Sequence, residues 1–139
     1  MLKNLTLPIE TGIIHFMRKT SQNLLDVIGN TPLVKVPFDT QAKIFAKLEY
    51  LNPGGSIKDR SALFMIEEAE KKGFLKPGGT IIEASSGNQG VACAMIGAIK
   101  GYKVIITVSS KISEEKVKTI RAYGAEVVVC PATSTISDP

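Results

Sequence analysis

The stretch Asn52-Pro-Gly-Gly-Ser-Ile-Lys-Asp-Arg60 holds the residues best suited to chemistry in this 139-residue chain. Its paired glycines free the backbone, Ser56 is placed to cap a helix, and Lys58 falls in that helix's first turn. A lysine there stands against the helix dipole rather than with it. The setting disfavours the ammonium form and suits an amine that must attack a carbonyl carbon, as in Schiff-base formation. Asp59 would complete a Ser56-x-x-Asp59 box that holds the helix end in place. A solvated surface lysine is the plainer reading, and residue types alone leave both open. A second concentration of donors is Ser85-Ser-Gly-Asn-Gln-Gly90. Its glycines allow close backbone approach, and the free amides of a helix N-terminus suit a carboxylate or phosphate, with Ser85, Ser86, Asn88 and Gln89 as further donors. A capped strand-to-helix turn is the alternative. No Gly-Lys-Ser/Thr follows and no GxGxxG occurs, so neither nucleotide-loop pattern applies.

The elements that must position these residues follow a repeated unit. A helix over Ile57–Lys72 leads through Pro77-Gly-Gly79 to a strand over Thr80–Ala84. A second helix, Asn88–Lys100, leads through Gly101 to Lys103–Val108, and a third, Glu114–Tyr123, leads through Gly124 to Glu126–Cys130. Each connector is expected to end its helix at a left-handed glycine. Strands alternating with helices predict an α/β fold, a three-layer αβα arrangement with a mostly parallel sheet and right-handed crossovers. The spacing places Ala62, Met65, Ile66 and Ala69 on the buried stripe of the first helix. The second helix is small and apolar almost all round, which predicts the most buried position. In the third, Ser113 is the expected cap, with Glu114 and Glu115 in the first turn and Lys118 and Arg121 near the end. Upstream, Leu24–Ile28 reads as a short turn and Thr31–Val36 as extended. Lys43–Tyr50, apolar on both faces, reads as a strand buried on both sides of a parallel sheet. In such folds ligands bind beyond the carboxyl ends of the strands, where Leu51–Ser56 and Ser85–Gly90 lie.

Composition narrows the function classes. Seventeen basic and thirteen acidic residues leave a net charge of +4, but the lysines are scattered and no basic run is interleaved with aromatics. Nucleic acid is therefore not expected as a partner. No apolar run reaches the roughly 18 residues of a membrane span, and no secretory signal pattern opens the chain, so a cytoplasmic protein is expected. Cys93 and Cys130 form no metal-ligand spacing and are expected to be buried free thiols. No metal is expected. His15, the single histidine, has no nearby acidic or thiol partner and is given no role.

Four stretches carry a resemblance: Ile28-Gly-Asn-Thr-Pro-Leu-Val34, Leu48-Glu-x-x-Asn-Pro-Gly-Gly-Ser-Ile-Lys-Asp-Arg60, Ile81-Ile-Glu-Ala-Ser-Ser-Gly-Asn-x-Gly90 and Tyr123-Gly-Ala-Glu126. In order and spacing the chain resembles the cysteine synthase / cystathionine β-synthase family over about residues 24–131. These are fold-type II pyridoxal-phosphate enzymes related to the tryptophan synthase β chain. The resemblance implies that Lys58 binds pyridoxal 5'-phosphate as a Schiff base and that Asn88 contacts the pyridoxal hydroxyl. It also implies that Ser85, Ser86, Gly87, Asn88 and Gln89 lie on the loop that grips the substrate carboxylate.

The implied activity is β-replacement or β-elimination on serine or O-acetylserine with a thiol or sulfide, a transferase or lyase of cysteine biosynthesis. Lys58, displaced by the amino acid, would remove its Cα proton. The loop reads Ala84-Ser-Ser-Gly-Asn-Gln-Gly90 where cysteine synthases usually have Pro-Thr-Ser-Gly-Asn-Thr-Gly, and Val108-Ser-Ser110 replaces the usual Met-Pro-Glu. Threonine dehydratases and threonine synthases, whose loops also begin Ser-Ser-Gly-Asn, are therefore alternative relatives. Family members are far longer, and their second half supplies a glycine-rich phosphate cup and the hydroxyl facing the pyridine nitrogen. The expectation is thus an N-terminal part: an extension over 1–23, the enzyme's N-terminal portion over 24–131 with its small α/β domain at about 43–131, a loose tail over 132–139, and no cofactor-binding half. Thr31–Val36 would belong with the larger domain. Such a chain would be inactive alone, a homodimer when complete, or a naturally truncated non-catalytic partner of full-length subunits. Its uncovered apolar surface would favour self-association.

Overall fold

The computed structural model describes residues 21 and 23–131; His15, most of the expected extension and the tail lie outside them. Asn23 opens the described chain as a cap. Its Oδ1 accepts from Leu25 N–H at 2.7 Å and Asp26 reaches back to its own N–H, closing a capping box on the 3₁₀ turn Leu24–Val27. Gly29 and Asn30, both at positive φ, then turn the chain into β1, Leu33–Val36.

β1 pairs antiparallel with β2, Ile44–Lys47, in a two-stranded hairpin with Leu33 opposite Lys47 and Val36 opposite Ile44. This corrects the expectation of a strand buried within the parallel sheet. Ile44 and Phe45 are both exposed among the described residues. Apolar residues on both faces of a four-residue strand fit a central strand and an uncovered hairpin equally, and pattern alone does not separate them.

The second sheet is parallel, in the order β3 (Thr80–Ala84), β4 (Lys103–Ser109), β5 (Glu126–Cys130). Helix α1 spans Lys58–Lys71, α2 spans Asn88–Lys100 and α3 spans Glu114–Ala122. The expected α/β fold with a parallel sheet and flanking helices is present. Crossovers of one hand between successive neighbouring strands keep α2 and α3 on the same face, where they pack on one another. Of the three layers, the described residues supply the sheet and one helical layer. Alternation along β4 records this: Val104, Ile106 and Val108 are buried beneath the helices, while their neighbours face the open side.

Helix α2 is the centre of the core, buried from Gly90 to Gly97, because α1, the sheet and α3 surround it. Two of its glycines make the approach to the sheet possible. A methyl on Gly97 would drive into Val104 Cγ2, and one on Gly90 would lie 2.9 Å from Ser85 O and 3.1 Å from Ile106 Cγ2. In α1, Ala62 and Ile66 join this core as expected, whereas Met65 is 49% exposed. Helix α1 also ends differently. Gly73, at φ +73°, closes it, and Lys76–Gly79 forms a separate turn held by Gly79 N–H to Lys76 O at 2.9 Å. Gly101 and Gly124 do stand at positive φ beyond α2 and α3.

Two polar ties fix α1 alongside α2. At one end the Ser61 hydroxyl donates to Gln89 Oε1 at 3.0 Å. At the other, Glu70 accepts from Lys100 Nζ at 2.8 Å and from the Tyr102 hydroxyl at 2.6 Å. N-terminus thus meets N-terminus and C-terminus meets C-terminus, so the two helices run parallel and aim their positive ends the same way. Cys93 is buried, and burial pushes its thiol up to about 11. Cys130 is exposed, against expectation, because it ends edge strand β5 on the face the helices leave open.

Candidate active site

Lys58 opens α1, and its N–H donates to Ser56 Oγ at 3.1 Å. Ser56 therefore caps the chain two residues on, through a local serine turn, and the Ser56-x-x-Asp59 box does not form. Asp59 instead turns under the preceding loop, where its Oδ2 accepts from Gly54 N–H at 2.5 Å. A Cβ on Gly54 would collide with that carboxylate, which explains why glycine stands there. Asp59 is fully buried and its Oδ1 has no partner, so burial raises its pKa while the Gly54 N–H works against the rise. The Lys58 side chain is exposed, and its amine has no hydrogen-bond or ion-pair partner among the described residues. It borders a shallow open groove with Ile57, Arg60, Ser61 and Phe64.

A polar network anchors the loop that delivers Lys58. Glu49 takes a bidentate grip from Arg60, Nε to Oε2 at 2.8 Å and Nη2 to Oε1 at 2.9 Å. It also accepts from the Thr31 hydroxyl at 2.7 Å and from Asn52 Nδ2 at 2.9 Å. Asn52 Oδ1 in turn receives Gly29 N–H at 2.8 Å, and Lys47 Nζ donates to Thr31 O. The Arg60 guanidinium first, and the Thr31 and Asn52 contacts after it, hold the Glu49 carboxyl at about 2. Reading residue types singled out none of Thr31, Glu49, Asn52 or Arg60. Their signal was the co-occurrence of Glu49, Asn52 and Arg60 with Gly29-Asn-Thr31 in the motif stretches.

The second loop follows β3 and opens α2 at Gly87. Ser85 Oγ accepts from Gly87 N–H at 3.2 Å and from Gly90 N–H at 3.1 Å. Ser86 Oγ accepts from Ser109 N–H at 3.0 Å, which ties the loop to the end of β4. Asn88 Oδ1 accepts from Lys116 Nζ of α3 at 2.6 Å. Gln89 is turned inward, with Oε1 taken by Ser61 and Nε2 at 3.6 Å from Cys93 Sγ. The side-chain acceptors of this loop therefore each have an internal partner. What remain are donors: the serine hydroxyl protons, Asn88 Nδ2, and the backbone N–H groups of Asn88 and Gln89, for which no protein partner occurs among the described residues. Lys58 and this loop are joined through Ser61, whose hydroxyl oxygen lies 3.0 Å from both Lys58 O and Gln89 Oε1. Among the described residues no cluster of His, Cys, Asp or Glu could hold a metal, and no helix is long and apolar enough to cross a membrane.

An unpaired amine thus stands at the start of α1 and a donor-bearing loop at the start of α2, with Ser61 between their backbones. The family model for pyridoxal-phosphate dependent enzymes matches residues 24–138. The chain belongs to that family. It is 47% identical over 122 residues to the cysteine synthase of Staphylococcus aureus, covering 86% of this chain and 39% of that protein. It is 46% identical over 126 residues to the cystathionine beta-synthase of Apis mellifera, covering 87% of this chain and 25% of that protein. Among solved structures, a hydrogen sulfide-producing enzyme from Fusobacterium nucleatum superposes with a TM-score of 0.76 at 48% identity, over 81% of this chain and 38% of that one. The chain thus spans well under half the length of these relatives and corresponds to their N-terminal portion.

The donor set suits one end of pyridoxal phosphate and an amino acid's carboxylate. Lys58 offers a free amine for an aldehyde, and the Ser85–Gln89 loop offers hydrogen bonds to anionic oxygens.

Proposed function

We propose that this chain carries the lysine-bearing part of a site for β-replacement or β-elimination on a small amino acid such as serine or O-acetylserine. The observation that carries the reading is a free Lys58 amine on a helix start whose backbone is tied through Ser61 to a loop that presents hydroxyl, amide and backbone donors. Bound at Lys58, pyridoxal phosphate would supply an electron sink for charge developing at the amino acid's Cα. Lys58 Nζ would hold the cofactor by its aldehyde end and, with an amino acid bound, would be the base that takes the Cα proton. Asn88 Nδ2 would help to hold the cofactor as a hydrogen-bond donor. The hydroxyls of Ser85 and Ser86 and the amides of Asn88 and Gln89 grip the carboxylate, which holds Cα–H against Lys58. Gln89 contributes its backbone only, since its side chain is committed to Ser61 and Cys93. The β-substituent would leave with its bonding electrons, a thiol or sulfide would take its place at Cβ, and Lys58 would return the proton to Cα; with threonine the same residues would support loss of water. The complete enzyme is read as a homodimer, and this chain alone as binding the cofactor weakly and turning over no substrate, because residues that would hold the phosphate are not among those described.

Incubation with pyridoxal phosphate followed by borohydride should place the cofactor's mass on the peptide containing Lys58. The adduct should vanish in Lys58→Ala. Labelling of that variant to the same extent, on other lysines, refutes the assignment. Assays with O-acetylserine, serine and threonine, on a protein extended to the length of the relatives, then distinguish replacement from dehydration.

A further inference from the structure

We propose that Lys116 is a positioning residue for this site: it holds the Asn88 carboxamide by its oxygen, so that Asn88 presents only donors to a ligand. The inference rests on the reading of Asn88 as a ligand contact. Lys116 Nζ reaches Asn88 Oδ1 at 2.6 Å, linking the first turn of α3 to the first residue of α2. An ammonium has donors and no acceptor, so it can engage only the oxygen end of a carboxamide. The two ends of an amide are otherwise interchangeable in shape, and the lysine removes that freedom. Both N–H groups of Nδ2 are then left without a protein partner among the described residues.

Local electrostatics argue against a purely stabilising role. Lys116 is the third residue of α3 and stands beside the first residue of α2, so two positive helix ends surround its charge. It forms no ion pair among the described residues; Glu114, on the same turn, pairs with Lys118 at 2.8 Å instead. A cation placed there and spent on a neutral amide is poorly used for stability. It is well used for fixing a donor. The ligand atom that Asn88 meets is consequently an acceptor, a phenolate or carboxylate oxygen, and never a donor.

Borohydride-fixed adduct on the Lys58 peptide, measured across a pyridoxal phosphate titration of the intact chain, tests this. Lys116→Met should raise the half-saturating concentration about fivefold. Lys116→Arg, still donor-only, should recover most of the loss. Lys116→Glu accepts from Nδ2 and turns the amide round, so its loss should exceed that of methionine. In an Asn88→Ala background Lys116→Met should add nothing. The Asn88 Nδ2 resonances should move in the Met and Glu variants and stay near the parent's in Arg, a pattern that a merely structural lysine would not produce. If Lys116→Met titrates like the parent while Asn88→Ala is weakened, the positioning role is overturned and the reading of Asn88 survives. If Asn88→Ala also titrates like the parent, both fall. Should the parent give no adduct, the reading of Lys58 fails, and unchanged Asn88 resonances in Lys116→Met overturn the positioning role independently.

Discussion

Glu49 and Asp59 are both carboxylates next to the Lys58 loop, and they titrate in opposite senses. Glu49 is held at about 2 against an ordinary 4.5, chiefly by Arg60, so its contribution to stability is complete above 4.5 and is lost as pH falls toward 2. Asp59 is raised above its ordinary 3.8 by burial; its contribution is complete below 3.8 and is lost as pH rises through the raised value. Glu49→Gln should therefore flatten the acid side of a denaturation profile between pH 4.5 and 2. Asp59→Asn keeps an acceptor for the Gly54 N–H and removes a buried charge, so its melting temperature at neutral pH should match or exceed the parent's. A clear drop would show that the carboxylate is needed in its charged form. At this scale Lys58 differs from both acids: it is the motif residue whose functional group is left free.

The elements place that amine by converging their N-termini. Gln89–Ser61 joins the starts of α1 and α2, Asn88–Lys116 joins the starts of α2 and α3, and Ser86–Ser109 fastens the loop to the end of β4. All this depends on α2 lying close against the sheet, which Gly97 permits. Gly97→Ala would gain up to about 1 kcal/mol in helix propensity but lose about 1–3 kcal/mol to the collision with Val104. A net destabilisation is expected in urea melts, accompanied by weaker cofactor capture at Lys58 as α2 is pushed outward. A more stable Gly97→Ala would mean that the sheet yields easily and that the close approach does not set the site.

At the scale of the whole molecule, the dominant apolar surface among the described residues is the face of the parallel sheet away from the helices. Ile82 is 68% exposed, and Val128 shares its face two strands away. The β1–β2 hairpin adds Leu33, Val34 and Phe45 to the exposed apolar surface. Sedimentation velocity should show self-association that grows with concentration. Ile82→Lys should reduce it without lowering the melting temperature, because that side chain lies outside the core. A parent chain that stays monomeric at high concentration would remove this expectation.

The repeating helix–strand order and the burial of α2 were legible in the sequence, and so was the motif that makes Lys58 a candidate. Those features rest on local information: apolar periodicity, Ser113 as a cap, glycines at helix ends, and an unbroken motif around Lys58. Tertiary structure alone decided which residues meet. Thr31 and Arg60 lie 29 positions apart and Asn88 and Lys116 lie 28 apart, and no periodicity encodes either pairing. It also decided that Asp59 turns to Gly54 rather than to the helix end, that β2 belongs to an exposed hairpin, and that Cys130 faces solvent. The physical reason is the same throughout. A hydrogen-bonding side chain states what it can pair with, and only the packed chain states what lies within three ångströms of it.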